Sequence, residues 1–280
     1  MAGEIMQDIE LLIVGAGISG ISMAAHMKML CPGRDFTIVE RRGSLGGTWD
    51  LFRYPGIRSD SDMHSFGFRF EPWIDDKSIA DGETILAYLN RVVDERGIRP
   101  HIRFGTKVVS ADWISATGRW RVTIEDEAGW QQFAARFLYL GAGYYDYDDP
   151  HDPGFPGQDE FGGTLVHPQF WPEGLDYAGK KIVVIGSGAT AVTLVPALAE
   201  KAAHVTMLQR TPTWMGIRPA RDRVANFLRR ILPQRIAYRL TRFKNVRLHN
   251  FVFKRARAKP AKIAQFLTDQ MKRALGAHYS

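Results

Sequence analysis

A glycine turn that occurs twice, each time between a short apolar run and a helix-forming stretch, restricts this chain more than any other feature. Gly15-Ala16-Gly17-Ile18-Ser19-Gly20 follows the β-branched run Ile9 to Val14 and opens a stretch of helical composition to Leu30. Gly186-Ser187-Gly188-Ala189-Thr190-Ala191 follows Lys181 to Ile185 and opens a second such stretch, Ala189 to Glu200. In this pattern the first glycine allows the tight turn, the second lets the backbone approach a pyrophosphate, and the third, which alanine can replace, allows close helix–strand packing. Each unit then returns to a strand, Phe36 to Val39 and Val205 to Leu208. Two βαβ units predict an α/β chain with two Rossmann-like dinucleotide-binding domains, an FAD/NAD(P)-binding fold.

The residues ending the two second strands differ, and the difference has chemical content. Glu40 stands twenty positions after Gly20, where a carboxylate accepts hydrogen bonds from a ribose diol. At the equivalent place in the second unit stand Gln209 and Arg210, and a guanidinium there pairs bidentately with a 2′-phosphate. The second site therefore favours NADP over NAD. The plain alternatives are a packing turn with an incidental surface glutamate, and a loop arginine facing water.

The remaining text sets the organisation. Gly43 to Asp62 reads as a long ordered loop and Glu83 to Arg96 as an amphipathic helix stopped by Gly97. Ile102 to Leu140 reads as a small β-meander that returns to the main sheet at Phe137 to Leu140, and Gly141 to Pro172 as a Gly/Pro/Asp-rich connection. Beyond Thr211 only basic helices are expected, at Val224 to Leu232, Ile236 to Phe243 and Ile263 to Leu275. The second sheet is thus expected to hold two strands and to be incomplete. The domains predicted are an FAD-binding portion at 1–145, a linker at 146–178, an NADP-binding βαβ unit at 179–210 and a basic helical segment at 211–280.

One cysteine, Cys31, excludes an intrachain disulfide and the paired redox cysteines of a flavin disulfide reductase. A reducing cytoplasmic setting follows. The acidic start, with Glu4, Asp8 and Glu10, does not suit a signal peptide, and no stretch has the length of a membrane span. The net charge of +7 is uneven: residues 1–210 hold 20 Lys/Arg against 28 Asp/Glu, and residues 211–280 hold 17 against 2, giving −8 and +15. Solvated helical faces are the common reason for such a tail; no nucleic acid is expected, and a peripheral membrane contact through the basic helices stays open.

Between the two units runs Phe161-Gly162-Gly163-Thr164-Leu165-Val166-His167-Pro168-Gln169-Phe170-Trp171-Pro172. From its residues alone it is a glycine turn, a buried-looking aromatic group and a histidine beside a proline. As a pattern it resembles the Baeyer–Villiger monooxygenase signature FxGxxxHxxxWP at Phe161, Gly163, His167, Trp171 and Pro172. Gly46-Gly47-Thr48-Trp49 resembles the loop along the flavin, and Arg53-Tyr54-Pro55-Gly56-Ile57-Arg58-Ser59-Asp60 the segment facing flavin and nicotinamide. Gly141-Ala142-Gly143 resembles the return between domains, and Val108 matches the strand position whose backbone meets the adenine. The resemblance, to the N-terminal part of class B flavoprotein monooxygenases, covers essentially the whole chain.

That resemblance implies FAD and NADPH as cofactors, O2 as co-substrate, and oxygen transfer from a flavin C4a-peroxide to a ketone or to a thioether or amine. It implies FAD contacts at Gly15, Gly17, Ser19, Gly20, Glu40, Gly47, Thr48, Trp49 and Val108, and NADP contacts at Gly186 through Ala191, Gln209 and Arg210. Arg58, Ser59 and Asp60 would face both cofactors. Asp60 would be the catalytic carboxylate that orients an arginine carried by a later part of the family's chain; helix capping is the alternative for Asp60 or Asp62. His167 is expected to serve conformation. Trp73, Trp113, Trp120 and Trp130 are expected in the core. No metal site is expected. Related readings are an N- or S-oxygenating flavin monooxygenase and a non-catalytic FAD-binding remnant, with activity of this short form impaired.

Overall fold

A computed structural model of the chain describes residues 7–211, 214, 216 and 218–278, so Glu4 of the N-terminal reading lies outside the described residues. In chain order the elements are β1 (Gln7–Val14), α1 (Ile18–Leu30), β2 (Phe36–Val39), α2 (Thr48–Leu51), α3 (Met63–Phe66), α4 (Gly82–Glu95), β3 (Ile102–Arg103), β4 (Lys107–Ile114), β5 (Arg119–Asp126) and β6 (Gly129–Leu140). There follow β7 (Lys181–Ile185), α5 (Ala189–Ala199), β8 (His204–Leu208), α6 (Arg223–Ile231), α7 (Gln234–Ala258) and α8 (Pro260–Leu275). They group into two units, one of Met1–Tyr54 with Gly82–Leu175, the other of Pro55–Asp81 with Asp176–Ser280.

The first unit is built on a six-stranded sheet of order β3-β2-β1-β6-β5-β4. β1 lies between the parallel strands β2 and β6, and its run Leu11, Leu12, Ile13 is buried, as a strand covered on both faces requires. The meander joins this sheet through β6, which pairs in parallel with β1 and antiparallel with β5. Phe137 to Leu140 is therefore the end of a twelve-residue strand that starts at Gly129. Ile9, Leu12, Val39, Val122, Ile124 and Phe133 form one core beneath it. Helix α4 buries Ile85, Leu89, Val92 and Val93 along one stripe, the face its sequence periodicity marks.

Two of the four tryptophans expected in the core are not there. Trp73 is buried, but Trp113 and Trp130 are 49% and 65% exposed. The reason is position: β4 is the edge strand of the sheet, where Trp113 meets Trp120 edge-on, and Trp130 follows the hairpin turn at Gly129. The long loop Gly43 to Asp62 also contains a helical turn, α2, held by the Gly47 carbonyl.

The second unit centres on the parallel pair β7–β8, in register from Lys181↔His204 to Ile185↔Leu208 and crossed by α5. Among the described residues this sheet has two strands, and Val183, Ile185 and Leu208 are each more than half exposed. Residues 55–81 pack in this unit. Gly56 has φ +81°, and a Cβ there would stand 2.6 Å from the Thr193 carbonyl and 2.7 Å from the Ala197 methyl, so only glycine lets this segment lie on α5. Helix α7 runs well past the expected Ile236 to Phe243 because nothing breaks it before Pro260. It holds the short α3 directly: Arg242 donates to the carbonyls of His64, Ser65 and Gly67, and Tyr238 Oη donates to that of Phe68. The His64 and Ser65 carbonyls are among those a helix end leaves without intrahelical partners.

Candidate functional site

In the first unit, the glycine turn is shaped by steric necessity. Gly15 has φ +96°, and a Cβ on it would meet the Gly141 carbonyl at 2.7 Å; a Cβ on Gly20 would fall 1.9 Å from the Gly15 carbonyl oxygen. The return Gly141-Ala142-Gly143 thus crosses the turn in contact, with Gly141 N–H bonded to the Val14 carbonyl. Helix α1 starts at Ile18 after Gly17 with no side-chain cap, and Ser19 is exposed in its first turn. Uncapped N–H groups and the positive end of the helix are what an anionic phosphate requires.

Glu40 is buried at the end of β2 and fastens this turn. Its Oε2 accepts the Ala16 N–H at 2.8 Å and its Oε1 the Arg42 N–H at 2.9 Å. Each oxygen keeps acceptor capacity for a hydroxyl. The loop Gly46–Trp49 lies against the same turn: Gly46 N–H reaches the Ala16 carbonyl, and a Cβ on Gly47 would be 3.0 Å from Gly17 Cα. Thr48 and Trp49 begin α2. Thr106 N–H bonds the Glu40 carbonyl at 2.9 Å, so the chain entering β4 at Val108 has just passed the end of β2. The structure therefore brings together Gly15, Gly17, Gly20, Glu40 and Gly47, with the strand carrying Val108 alongside.

Two residues of this region escaped the sequence reading. Asp50 is buried and serves as an ion hub for Arg42 and Arg53, with Ser44 also donating to it. The Tyr147 hydroxyl would lie 3.9 Å from a Gly47 Cβ. Burial, and then the Glu40 charge, push the Tyr147 phenol upward from its usual pKa. No spacing rule reveals either one; both depend on how the loop folds back.

The second glycine turn repeats the backbone arrangement with less cover. Gly186 has φ +127° and its N–H bonds the Leu208 carbonyl at 2.9 Å, joining the turn to the end of β8. Gly188 precedes α5 without a side-chain cap, and Ser187, Ala189, Thr190 and Ala191 make up the turn and first helical residues. Gln209 donates to the Met207 sulfur. Arg210 is exposed, with no carboxylate on it among the described residues, at the same strand ends as the turn. Ligands of parallel α/β sheets bind at those ends.

Also in the second unit, Arg58 and Asp60 line a cavity of about 630 Å³ together with Lys77, Val192 and Arg218. Ser59 between them is buried, its N–H on the Ala80 carbonyl and its hydroxyl accepting the Ala80 N–H. Of the two acids left open for helix capping, Asp62 takes that place: it caps α3 by accepting the Ser65 N–H at 3.0 Å. It also accepts Arg218 Nη2 at 2.9 Å and Asn245 Nδ2 at 2.8 Å. Burial pushes its pKa up, but the Asn245 bond and the Arg218 cation more than offset this and leave it below the ordinary value. Nearby His64 is buried with Nδ1 unpartnered, and burial lowers its pKa.

The signature segment departs from its buried appearance in sequence: Phe161 and Phe170 are 59% and 50% exposed. Its spacing has local causes. The Phe161 ring covers Gly163, where a Cβ would come within 2.5 Å of ring carbons. His167 Nδ1 accepts the Gln169 N–H at 3.2 Å and so caps the turn Pro168–Phe170 that leads to Trp171 and Pro172. Gln169, buried, donates to the Asp146 carbonyl at 2.6 Å.

Two parallel βαβ units, each with a glycine turn between strand and helix, define a protein of the FAD/NAD(P)-binding fold class. Residues 12–250 match the model of the pyridine nucleotide-disulphide oxidoreductase family, and the chain belongs to that family. The sequence is 51% identical over 267 residues to the FAD-containing monooxygenase EthA of Mycolicibacterium smegmatis, covering 95% of this chain and 54% of that one. Among solved structures it is similar to OTEMO in complex with FAD and NADP, at 32% identity and a TM-score of 0.64, covering 74% of this chain and 40% of the other. It is also similar to a cyclohexanone-bound cyclohexanone monooxygenase, at 30% identity and a TM-score of 0.67, covering 79% and 43%. The resemblance to the N-terminal part of the Baeyer–Villiger group thus holds in sequence and fold, and the chain spans about half the length of the curated relatives it matches. Among the described residues no helix is long and apolar enough to cross a membrane.

Proposed function

We propose that this chain is the cofactor-binding part of an NADPH- and O2-dependent flavin monooxygenase that transfers one oxygen atom to a ketone, or to a thioether or amine. The observation that carries the reading is the Gly15–Gly20 turn, pinned by buried Glu40 and faced by Gly47. These residues fit FAD: the uncapped start of α1 suits its pyrophosphate, and the Glu40 oxygens suit its ribose. Gly186 to Ala191 would hold the pyrophosphate of NADPH, and Arg210 its 2′-phosphate. The bound flavin would supply the hydride- and oxygen-handling chemistry. The chain's own contribution is binding, orientation and charge, with Arg58, Ser59 and Asp60 at the reacting end and Asp60 orienting a cation there. The four sequence segments 1–145, 146–178, 179–210 and 211–280 are proposed as the functional division of the chain, in a cytosolic setting that keeps Cys31 reduced.

The test is whether purified protein carries flavin absorbance and oxidises NADPH with consumption of O2. Product analysis with a ketone and with a thioether then separates Baeyer–Villiger from heteroatom oxygenation. Flavin binding without NADPH oxidation would favour the second reading, a non-catalytic FAD-binding form, which the second sheet, two-stranded among the described residues and with Val183, Ile185 and Leu208 exposed, supports. The 280-residue form is proposed to turn over weakly and to release hydrogen peroxide in place of oxygenated product, because the active-site arginine that the resemblance implies lies in a later part of the family's chain. The basic helices α6 to α8 are where any peripheral membrane contact would form, and co-sedimentation with anionic vesicles tests it.

A further inference from the structure

The cavity walled by Gly56–Asp60 contains a cation from the basic tail that no sequence motif marks. Arg218 lines it, and its side chain is held from behind at two points: Nη2 on the fully buried Asp62 at 2.9 Å and Nη1 on His249 Nε2 at 2.8 Å. Guanidinium only donates, so the His249 nitrogen is the acceptor of this contact. The backbone is fixed as well. Two residues on, the Ala220 carbonyl accepts from Ser78 N–H, Ile79 N–H and Ser78 Oγ, which ties this segment to the Lys77–Ile79 wall of the same cavity. Asp62 shares its charge among Ser65, Asn245 and Arg218.

Of the five N–H donors of a guanidinium, Asp62 and His249 each take one, and the side chain remains about one third exposed. Arg58 and Lys77 line the same cavity, and no carboxylate pairs with either side chain among the described residues. Two acids, Asp60 and Asp81, share the wall, so bulk charge alone does not select an anion. What selects one is a planar donor group already paid for in rotamer freedom, since a fixed fork loses little entropy when it meets an oxyanion.

We propose that Arg218 is a ligand-facing, specificity-determining cation of this cavity, recognising an oxyanion with Lys77 and Arg58 as secondary charges. A nucleotide phosphate and a substrate carboxylate share that chemistry. All of these residues belong to the second unit, so the inference stands whether or not FAD binds to the first.

The test is calorimetric titration of the 280-residue chain with inorganic pyrophosphate and, separately, with octanoate. One of the two should bind, and Arg218→Gln should weaken it about tenfold or more, the loss expected for a hydrogen bond to a charged group. Because that variant leaves Asp62 buried without its cation, Arg218→Lys serves as the folded comparison. A single ammonium cannot serve Asp62, His249 and a ligand together, so it should weaken binding several-fold, and Lys77→Gln should weaken it less. Pyrophosphate binding alone identifies a cofactor phosphate as the source, and octanoate binding alone a substrate carboxylate. Failure of both probes to bind, or unchanged affinity in Arg218→Lys, would overturn the proposal.

Discussion

Asp62 and Arg218 stand 156 residues apart in sequence and meet in a 2.9 Å ion pair with the carboxylate fully buried. The Asp62 pKa lies below its ordinary value of 3.8 because the Asn245 and Arg218 contacts outweigh burial. A depressed folded value stabilises the fold fully above the unfolded pKa and loses that contribution as pH falls through the folded one. Urea midpoints of the second unit should therefore be flat from pH 7 to about 5 and drop below about 4. Asp62→Asn should flatten this acid limb and lower the midpoint at pH 7, and an unchanged acid limb would count against the pair.

Gly20→Ala places a methyl 1.9 Å from the Gly15 carbonyl oxygen, a contact that backbone must move to relieve. Overpacking of this kind costs about 1–3 kcal/mol. The variant should lose flavin absorbance on purification and unfold at lower urea, and Gly15→Val, at φ +96°, should do the same.

Arg210→Ala tests cofactor choice. A charged hydrogen-bond partner contributes about 1.5–3 kcal/mol, so NADPH affinity should fall about 10- to 100-fold while NADH affinity stays level. Equal affinities for the two nucleotides in the unaltered chain would remove Arg210 from the site.

His167→Ala removes the acceptor that caps Pro168–Phe170. Loss of a cap costs about 0.5–2 kcal/mol. Thermal stability of the first unit should fall by that amount with flavin affinity unchanged; a rise or fall in flavin affinity without a stability change would assign His167 to chemistry.

Val183, Ile185 and Leu208 leave apolar surface on the two-stranded sheet. Exposed strands of that composition associate. Size-exclusion profiles should show concentration-dependent oligomers that Val183→Lys with Ile185→Lys reduces.

Much of the frame was legible because its signals are local. The strand Phe36–Val39 and the turns at Gly15 and Gly186 follow from φ > 0 and from apolar runs, which need no knowledge of partners. The edge position of Trp113, the ion hub at Asp50 and the contact of Gly56 with α5 depend on chain segments that meet only after folding. Charge count in the tail gave no hint that Arg218, Arg242 and Asn245 would each bond into residues 62–67, since a basic helix reads the same in solvent as against a polar loop.

The contact of Gly56 with Thr193 and Ala197 sets an order of events during synthesis. Pro55–Asp81 leaves the ribosome before the whole stretch Gly82–Leu175, yet the helices it packs against come later still. At bacterial-to-eukaryotic elongation rates of about 5–20 residues per second, that stretch takes roughly 5–20 s to make. Through this interval the segment carrying Arg58, Ser59 and Asp60 has only its internal bonds, such as Ser59 to Ala80, and lacks the α5 and α7 surfaces it packs on. In a nascent chain that has not passed residue 175, residues 55–81 therefore wait on α5 and α7, while β1 waits only on β6 for the second of its two neighbours.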